Sequence, residues 1–375
     1  MKIAVNTRFL IHDKIEGIGR FTLESLKRLV LEHPEHEFVF FFDRPYHPEF
    51  LFAPNVSGMI LTPPARHPLL FVWYFEWSVT RALKAVQADM FISCDGFLSL
   101  QTSIPQISII HDLAFEHYPE DVSYLVRKYY HYYFPRFAKK ATRICTVSEF
   151  SKQDICQTYG ISPSKIDVVY NGASSIFHPA TDEIKLATKA KYSQGYEYFV
   201  YVGALQPRKN IRRLLLAFDA FKSSTNSETR LLIVGRKAWK TEDIEVTFDN
   251  MKHKVSVLFT GRIPDEELAN VFGSALALIY VPYLEGFGIP ILEAMQCGTP
   301  IITSNITAMP EVAGNAGILV NPLDIDAISD AMKSLDNDAS LRTERSKNGL
   351  IQAQKFSWEK TAHLLWDSIQ KVLKQ

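Results

Sequence analysis

The feature that most constrains the fold of this chain is a regular alternation of short apolar runs with stretches of helical periodicity. Apolar runs of this length, bounded by polar residues, are typical of buried strands. The first half contains six of them: Lys2–Asn6, Phe38–Asp43, Met90–Ser93, Gln106–Asp112, Arg143–Ser148 and Ile166–Tyr170. The second half contains another six: Tyr198–Gly203, Arg230–Gly235, Val255–Gly261, Ala275–Val281, Pro300–Ser304 and Gly317–Asn321. Helix-period stretches lie between them, among them Phe21–Glu32, Asn210–Phe221 and Ala327–Leu335. Such alternation produces βαβ units and parallel sheets, so it predicts an α/β protein.

Two doubly wound, Rossmann-like domains are predicted, because 375 residues can form two hydrophobic cores. The sixth run ends in Asn171-Gly172, and a loop then passes through His178-Pro179. We therefore expect an N-terminal domain over residues 1–177 and a second domain from residue 178. Ligands of such folds bind beyond the carboxyl ends of the strands. A cleft between the two domains is the expected site.

The composition excludes several classes of protein. There are 41 basic and 41 acidic side chains, so bulk charge gives no reason to expect nucleic acid as a partner. Cys94, Cys145, Cys156 and Cys297 lack paired metal spacing and indicate reduced thiols in a cytoplasmic protein. The chain opens on a strand without a signal peptide, and its longest aromatic run, Leu69–Trp77, is too short to span a bilayer. These features predict a soluble or peripheral protein.

The segment Glu285–Glu293 (EGFGIPILE) lies between a predicted strand and a predicted helix. Gly286 and Gly288 leave the backbone bare where the helix begins, and free amides at a helix N-terminus attract anions. Glu285 and Glu293 would repel a bare anion, but carboxylates accept hydrogen bonds from sugar hydroxyls. The combination favours a nucleotide sugar. The alternative is an ordinary structural turn.

A second segment, Gly203–Asn210 (GALQPRKN), follows the first strand of the second domain. Arg208 and Lys209 would stand where a phosphate meets a helix N-terminus. Arginine can grip phosphate through two hydrogen bonds, and lysine adds a compact charge. The alternative is a solvated pair of cations.

Gly17-Ile18-Gly19-Arg20 precedes the first predicted helix and invites comparison with a dinucleotide fingerprint, with Asp43 as the ribose-binding acid. However, these glycines come some ten residues after the strand, and Thr22 replaces the third glycine. A long glycine-containing loop suits a ligand contact across a cleft better. A flexible loop that caps the helix is the alternative.

His111-Asp112 ends a predicted strand, where α/β folds expose their chemistry. Because adjacent strand residues point to opposite faces, we expect one of the two to be structural. Ser148-Glu149 is best explained as a helix cap. Asp324-Ile325-Asp326 and Asp336-Asn337-Asp338 match the Asp-x-Asp pattern of metal-diphosphate sites, but their places beside a helix favour capping.

Aromatic residues crowd Phe71–Trp77 and Tyr129–Phe134, and Arg136, Lys139, Lys140 and Arg143 follow closely. Packing of aromatic helices on a sheet explains most of this pattern. A surface that sits on an anionic bilayer is the alternative.

These motifs, in this order, resemble the retaining glycosyltransferases of family four, which have the GT-B fold. The resemblance covers nearly the whole chain. It is carried by the segments above and by five more: Thr146–Glu149, Tyr170–Gly172, Thr260-Gly261-Arg262, Ala294–Pro300 and Pro310-Glu311-Val312. Phe356-Ser357-Trp358 is similar to the family's closing segment. The resemblance therefore implies a donor domain over 178–355 and a last helix, 356–375, that crosses back onto the N-terminal acceptor domain.

The resemblance also implies roles for individual residues. Glu293 would bind the donor ribose, and Glu285 the transferred sugar. The amides around Gly286, Phe287, Gly288 and Ile289 would hold sugar hydroxyls and phosphates. Arg208 and Lys209 would neutralise the departing diphosphate, with Gly17, Gly19 and Gly203 close to the donor, Arg262 beside the base and His111 beside the reacting carbon. Some relatives carry Arg where this chain has Ala204, which places more of the phosphate charge on Arg208 and Lys209.

The expected activity is a hexosyl transfer with retention, in which the leaving phosphate takes the acceptor's proton. No cofactor or metal is expected. The chain is similar to bacterial mannosyltransferases of surface polysaccharide and lipopolysaccharide synthesis, which implies GDP-mannose as donor, or a UDP-hexose as second choice, and a glycan or lipid-linked glycan as acceptor. A nucleotide-sugar epimerase, a nucleotide-binding module without transfer activity and a nicotinamide oxidoreductase are the alternatives.

Overall fold

The computed structural model describes residues 1–12, 14–236 and 242–374, which form two compact units. One unit comprises Met1–Gly172 with Trp358–Gln375, and the other Ala173–Ser357. The chain thus enters the second unit five residues before the predicted boundary at 177/178. Phe177 explains the difference, because it is buried and its ring lies 6.0 Å from that of Phe272 in the second unit. Gln375, the end of the predicted last segment, lies outside the described residues.

The first unit contains a parallel sheet of seven strands in the order β3-β2-β1-β4-β5-β6-β7. The strands are β1 (Lys2–Asn6), β2 (Glu37–Phe42), β3 (Val56–Ile60), β4 (Met90–Ser93), β5 (Gln106–Ile109), β6 (Arg143–Thr146) and β7 (Ile166–Val168). β3, at the edge, was not predicted. Its sequence, Val-Ser-Gly-Met-Ile, has too weak an apolar signal to be recognised as a strand.

The helices of this unit flank the sheet. They are α1 (Gly17–Glu32), α2 (Pro68–Trp73), α3 (Thr80–Ala85), α4 (Ala114–His117), α5 (Tyr124–Lys140), α6 (Glu149–Tyr159) and the C-terminal α15 (Trp358–Leu373). A π-helical turn, Tyr74–Val79, joins α2 to α3. Strands β1, β2 and β4 are buried along nearly their whole length, as expected for a parallel sheet covered on both faces.

The C-terminal helix α15 packs on α1 of the first unit, as the resemblance implied. The ring of Trp366 stacks on His33 with 3.5 Å between centroids, and Trp358 meets Phe21 edge-on. Arg28 Nε donates to Glu359 at 2.8 Å. The chain therefore returns to the unit in which it began.

The second unit contains a parallel sheet of six strands in the order β10-β9-β8-β11-β12-β13. The strands are β8 (Tyr198–Val202), β9 (Arg230–Val234), β10 (Val257–Gly261), β11 (Ala277–Tyr280), β12 (Ile301–Ser304) and β13 (Gly317–Val320). The helices are α7 (Asp182–Ser193), α8 (Ile211–Ser224), α9 (Glu242–Asp249), α10 (Asp265–Ser274), α11 (Ile289–Gln296), α12 (Met309–Ala313), α13 (Ile325–Asn337) and α14 (Ala339–Ala353).

In each sheet the strands are added first toward one edge and then, after one reversal point, toward the other edge. The reversal point lies between β1 and β4 in the first unit and between β8 and β11 in the second. Doubly wound sheets bind ligands beyond the carboxyl ends of the strands at such a point. Each unit thus has one edge position where functional side chains are expected.

Candidate active site

In the second unit, the turns that follow β8 and β11 are bonded to each other at the reversal point. The Arg208 carbonyl accepts from Tyr283 N at 2.9 Å, and Arg208 Nη1 donates to the Leu284 carbonyl at 3.1 Å. Asn210, in the left-handed region at φ 61°, donates from Nδ2 to the Val281 and Pro322 carbonyls at 2.9 and 2.7 Å. These bonds hold the segment Gly203–Asn210 against the residues just before Glu285–Glu293, so the two segments identified from the sequence are fixed to each other.

Arg208, Lys209 and Glu285 form an ion triad on these turns, in which the Glu285 carboxylate pairs with both cations. Glu285 is only 9% exposed. Burial alone would raise the pKa of Glu285, but the charges of Lys209 and Arg208 outweigh it and hold that pKa below its usual value. The triad therefore carries a net single positive charge.

Tyr280, the last residue of β11, is hydrogen-bonded to the triad. Lys209 Nζ donates to Tyr280 Oη at 2.5 Å. Burial and the nearby Glu285 charge raise the pKa of Tyr280 well above its ordinary value, so this phenol stays neutral. Thr303 and Ser304 of β12 donate to the Tyr280 and Pro282 carbonyls, each at 2.6 Å, which anchors the segment after β11.

The glycine loop ends as predicted at the start of a helix, because Gly288 is the residue before α11. Its φ of +86° is a conformation that other residues rarely adopt. Glu285, Gly286, Phe287 and Gly288 are all buried, while Ile289 is half-buried. At the start of α11, Pro290 has no N–H and Ile291 N donates to the Gly288 carbonyl at 2.9 Å, so Ile289 N is the amide of this turn that the helix cannot pair, and the positive end of the helix dipole suits an anion.

The other predicted residues of this unit are placed less centrally. Glu293 is half-buried in the second turn of α11, and Gly203 lies directly after β8, donating its N–H to the Val234 carbonyl at 2.9 Å. Arg262 is exposed at the end of β10, which β9 separates from β8.

In the first unit, His111 lies two residues beyond the end of β5 rather than on the strand as predicted. Its Nε2 lies 2.9 Å from the Cys94 carbonyl, so this nitrogen carries the proton and donates. The His111 ring meets Phe21 of α1 edge-on at 5.0 Å. Burial lowers the pKa of His111, which keeps the imidazole neutral at pH 7 with Nδ1 as an acceptor. Asp112 is the structural member of the pair, because its carboxylate accepts from Ala114 N at 3.1 Å.

Gly17 and Gly19 lie in the first turn of α1 and not in a loop before it, which corrects the expected helix start at Phe21. The sequence did not predict the first four residues of α1 as helical, because the two glycines weaken the helical signal. A Cβ on Gly19 would lie 2.7 Å from the Phe9 carbonyl oxygen, so close backbone approach requires glycine there. A Cβ on Gly17 would meet open space.

The sequence analysis missed a buried ion pair at the reversal point of the first unit. Arg8, just after β1, donates from Nε to Asp95 Oδ2 at 2.5 Å, just after β4. Asp95 also accepts from Asn6 Nδ2 and Ser93 Oγ, each at 2.9 Å. The guanidinium lies 4.1 Å from the Phe97 ring centroid. Two oppositely charged residues, each two positions after a predicted strand, were the available signal.

Both Asp-x-Asp segments act as helix caps, as predicted. Asp324 accepts from Ala327 N at 2.9 Å at the start of α13, and Asp338 accepts from Ser340 N and Leu341 N at the start of α14, each at 2.9 Å. Ser148 likewise caps α6 by accepting from Ser151 N at 3.0 Å.

Comparison with known proteins shows the family of the chain. Residues 15–175 match the family model "Glycosyltransferase Family 4", and residues 182–352 match "Glycosyl transferases group 1". The chain is 30% identical over 359 residues to the O-antigen chain mannosyltransferase B of Escherichia coli, covering 92% of this chain and 93% of that protein. The chain belongs to glycosyltransferase family 4.

A further relative and a solved structure of similar fold extend the comparison. The O-antigen chain mannosyltransferase RfbU of Salmonella typhimurium is 28% identical over 284 residues, covering 76% of this chain and 75% of its own. HepE of Anabaena, solved in complex with UDP-glucose, superposes with a TM-score of 0.77 at 16% identity, covering 99% and 100% of the two chains. The glycosyltransferase has the predicted GT-B fold. Among its described residues, no helix is long and apolar enough to cross a membrane.

Proposed function

We propose that this glycosyltransferase is a mannosyltransferase of bacterial surface polysaccharide synthesis, which uses GDP-mannose and retains the anomeric configuration. The observation that carries the proposal is the likeness to the Escherichia coli O-antigen chain mannosyltransferase B, which extends over 92% of the chain. The acceptor is a glycan or lipid-linked glycan. The free cysteines, three of them buried, favour a cytoplasmic location.

The ion triad supports the role proposed for Arg208 and Lys209. In sugar transfer the leaving diphosphate gains negative charge as the anomeric carbon becomes oxocarbenium-like. Groups that are already oriented toward that charge lower the barrier without reorganising. The excess positive charge of the triad is held on two turns that backbone hydrogen bonds lock together, so it is oriented before a donor binds. We propose that diphosphate binding draws the two cations partly away from Glu285.

Glu285 then has a second role in the proposal. A carboxylate that loses part of its pairing to the cations can accept hydrogen bonds from the hydroxyls of the transferred sugar. The neighbouring amides of Gly286, Phe287, Gly288 and Ile289 hold the sugar and the phosphates. Glu293, on the second turn of α11, binds the ribose, and Arg262 and Gly203 complete the donor contacts.

His111 is proposed as a catalytic residue that acts on the transferred sugar. Because its Nε2 donates to Cys94, Nδ1 is the nitrogen that would accept a hydrogen bond from a sugar hydroxyl. Gly17 and Gly19, at the amide-bearing end of α1, are proposed to contact the donor phosphates. No metal or cofactor is part of this mechanism.

A UDP-hexose-dependent transferase is the second candidate, because the HepE structure of the same fold was solved in complex with UDP-glucose. A panel of GDP-mannose, UDP-glucose and UDP-galactose with a lipid-linked oligosaccharide acceptor tests both. We expect transfer from GDP-mannose at least tenfold faster than from either UDP-sugar, with NMR of the product showing an α-mannosidic bond. Faster transfer from a UDP-sugar would replace the first proposal with the second. Conversion of the donor without transfer would favour an epimerase.

A further inference from the structure

The helical stretch from α2 through the π-turn to α3 carries an exposed stripe that the proposed chemistry does not use. The stripe comprises Leu69, Trp73, Trp77, Arg81 and Lys84, which are spaced by four, four, four and three residues. Leu69, Trp73 and Trp77 are 74%, 56% and 58% exposed, and the two indole rings contact each other at 5.2 Å. Side chains with this spacing share one face of a helix. The stripe is therefore apolar and aromatic at its beginning and cationic at its end.

Helix α5 carries a second stripe of the same kind. Tyr124 and Leu125 at its beginning and Tyr132 at its middle are each more than half exposed, and the exposed Lys139 and Lys140 end it. The Arg136 guanidinium lies 3.6 Å from the Tyr132 ring centroid. The sequence from 122 to 148 contains six Lys or Arg and no Asp or Glu, in a chain whose total charge is zero. This concentration of positive charge is local.

The two stripes lie beside each other and run in the same direction. Phe71 of α2 meets Tyr129 of α5 with 5.3 Å between ring centroids. Further along, Glu76 of the π-turn is close enough to Tyr133 and Lys140 to influence them electrostatically. α2 and the π-turn thus lie along α5, with the aromatic part of the first stripe beside α5 and the π-turn nearer its cationic end. The inward sides of both helices pack in the core through Phe71, Phe75, Tyr129, Phe134 and Phe137.

The only acid of the α2–α3 stretch is removed from this surface. Glu76 is 7% exposed, and its carboxylate accepts from Leu100 N at 3.0 Å. Burial raises the pKa of Glu76, which further favours its neutral form, although the Leu100 amide opposes this. Nothing acidic on α2, the π-turn, α3 or α5 is therefore exposed to offset the cations.

We propose that the face formed by Leu69, Trp73, Trp77, Tyr124, Leu125 and Tyr132, with the cations Arg81, Lys84, Arg136, Lys139 and Lys140, docks on an anionic phospholipid bilayer. Indole and phenol rings prefer the boundary between headgroups and acyl chains, because one part of each ring is apolar and the other polar. Lysine and arginine beside them are attracted to anionic headgroups, each by about fivefold in the partition coefficient. This docking does not depend on which sugar the enzyme transfers.

A second copy of the chain is a poorer occupant of this face. A two-fold dimer places the same patch of both copies against itself, so five cations would face five cations. An anionic bilayer offers apolar depth and negative charge together. The charge of the face therefore selects a membrane over self-association.

Flotation of the full chain with vesicles tests the proposal. We expect binding to vesicles of phosphatidylglycerol and phosphatidylethanolamine, at least tenfold weaker binding to phosphatidylcholine vesicles, and weakening by salt above 0.3 M, roughly where the screening length falls below 6 Å. Binding that is equal on neutral and anionic vesicles, or absent from both, overturns the proposal.

Two pairs of variants locate the surface. Trp73→Ser with Trp77→Ser, and separately Lys139→Glu with Lys140→Glu, should each weaken vesicle binding at least tenfold. The matched controls lie on the second unit, Leu186→Ser, at a site 73% exposed, and Lys252→Glu with Lys347→Glu, both exposed, and they should bind like the parent. Equal melting temperatures show that the fold is kept. Parent-like vesicle binding of both test variants contradicts the assignment, as does a concentration-dependent dimer that the Trp73 variant abolishes.

Discussion

The two units use the same strand order around their reversal points, yet the chemistry at these points differs. In the first unit, Arg8 and Asp95 form a neutral pair whose side chains are 6% and 2% exposed among aromatic rings. In the second unit, two cations share Glu285, and the Arg208 side chain is 20% exposed. The Arg8–Asp95 pair is neutral and desolvated, so it serves the structure alone. The triad keeps a net positive charge and is partly hydrated, so it can bind an anionic ligand. The same topology can therefore place either a structural element or a binding site at this edge.

The largest effect should come from breaking the buried pair. Asp95→Ala leaves the Arg8 charge desolvated and without its carboxylate, which we expect to cost about 3–5 kcal/mol of unfolding free energy. Denaturant titration measures this loss. Arg8→Met with Asp95→Leu should recover part of it, because neither charge then remains buried, although Asn6 and Ser93 lose their acceptor.

Glu285→Ala is the matched control in the second unit. Its loss of unfolding free energy should be clearly smaller, since Arg208 and Lys209 can reorient toward water. Equal losses for Asp95→Ala and Glu285→Ala would show that the two reversal points do not differ as described.

The second prediction concerns catalysis at the open site. Arg208→Ala or Lys209→Ala should lower turnover by roughly 10²–10³, the usual cost of losing one group that stabilises transition-state charge. The melting temperature should stay close to that of the parent. Steady-state rates with saturating donor measure the effect, and near-normal turnover in both variants would refute the phosphate assignment.

The third prediction separates the two glutamates. Glu293 is proposed to contact the ribose, which does not change during the reaction, so Glu293→Ala should weaken donor binding by about tenfold or more and affect kcat less. Glu285→Gln should lower kcat more than donor affinity, since charge and ring shape change next to it. Calorimetry with the nucleotide diphosphate, beside steady-state rates, distinguishes them. If Glu293→Ala binds the nucleotide as tightly as the parent, the ribose role is wrong.

The sequence predicted the strand alternation and the two Rossmann-like sheets well, because these depend on local pattern, and it placed Arg208, Lys209 and Glu285 in turns that follow strands of the second domain. It could not predict that Glu285 neutralises one of the cations, since that pairing depends on the hydrogen bonds between the 207–210 and 281–285 turns. β3 was missed because Ser57 and Gly58 carry little strand signal. The Arg8–Asp95 pair was missed because nothing in the two separate segments indicates that β1 and β4 are neighbours.

The fourth prediction concerns the lowered pKa of His111 in the first unit. Because burial lowers that pKa in the folded state, the unfolded chain binds the proton more readily below about pH 6.5, the usual pKa of histidine. The stabilisation from neutral His111 is thus present above that pH and lost as the pH falls below it. Denaturant midpoints of the parent and of His111→Gln at pH 7.5 and 5.5 measure this. The parent should lose more stability on acidification than the variant, and equal losses would contradict a His111 that stays neutral in the folded chain.

The smallest expected effect is that of a chelator, since we expect transfer to continue in EDTA at close to its original rate. In each Asp-x-Asp segment one carboxylate oxygen, on Asp324 and on Asp338, already accepts backbone hydrogen bonds at the starts of α13 and α14. Arg208 and Lys209 can supply the positive charge that a metal would bring to the leaving group. One exposed cluster among the described residues, His12, His47 and Glu49, has ligand atoms within 4.8 Å of one another and could chelate an ion at the surface of the first unit. Transfer rates of the parent and of His12→Ala with His47→Ala should therefore be compared with and without EDTA. Loss of transfer that only manganese or magnesium restores would show that the charge of the triad does not suffice to stabilise the leaving group. If that loss were confined to the parent, with the double variant inactive throughout, the required metal would belong to the histidine cluster and not to the second unit.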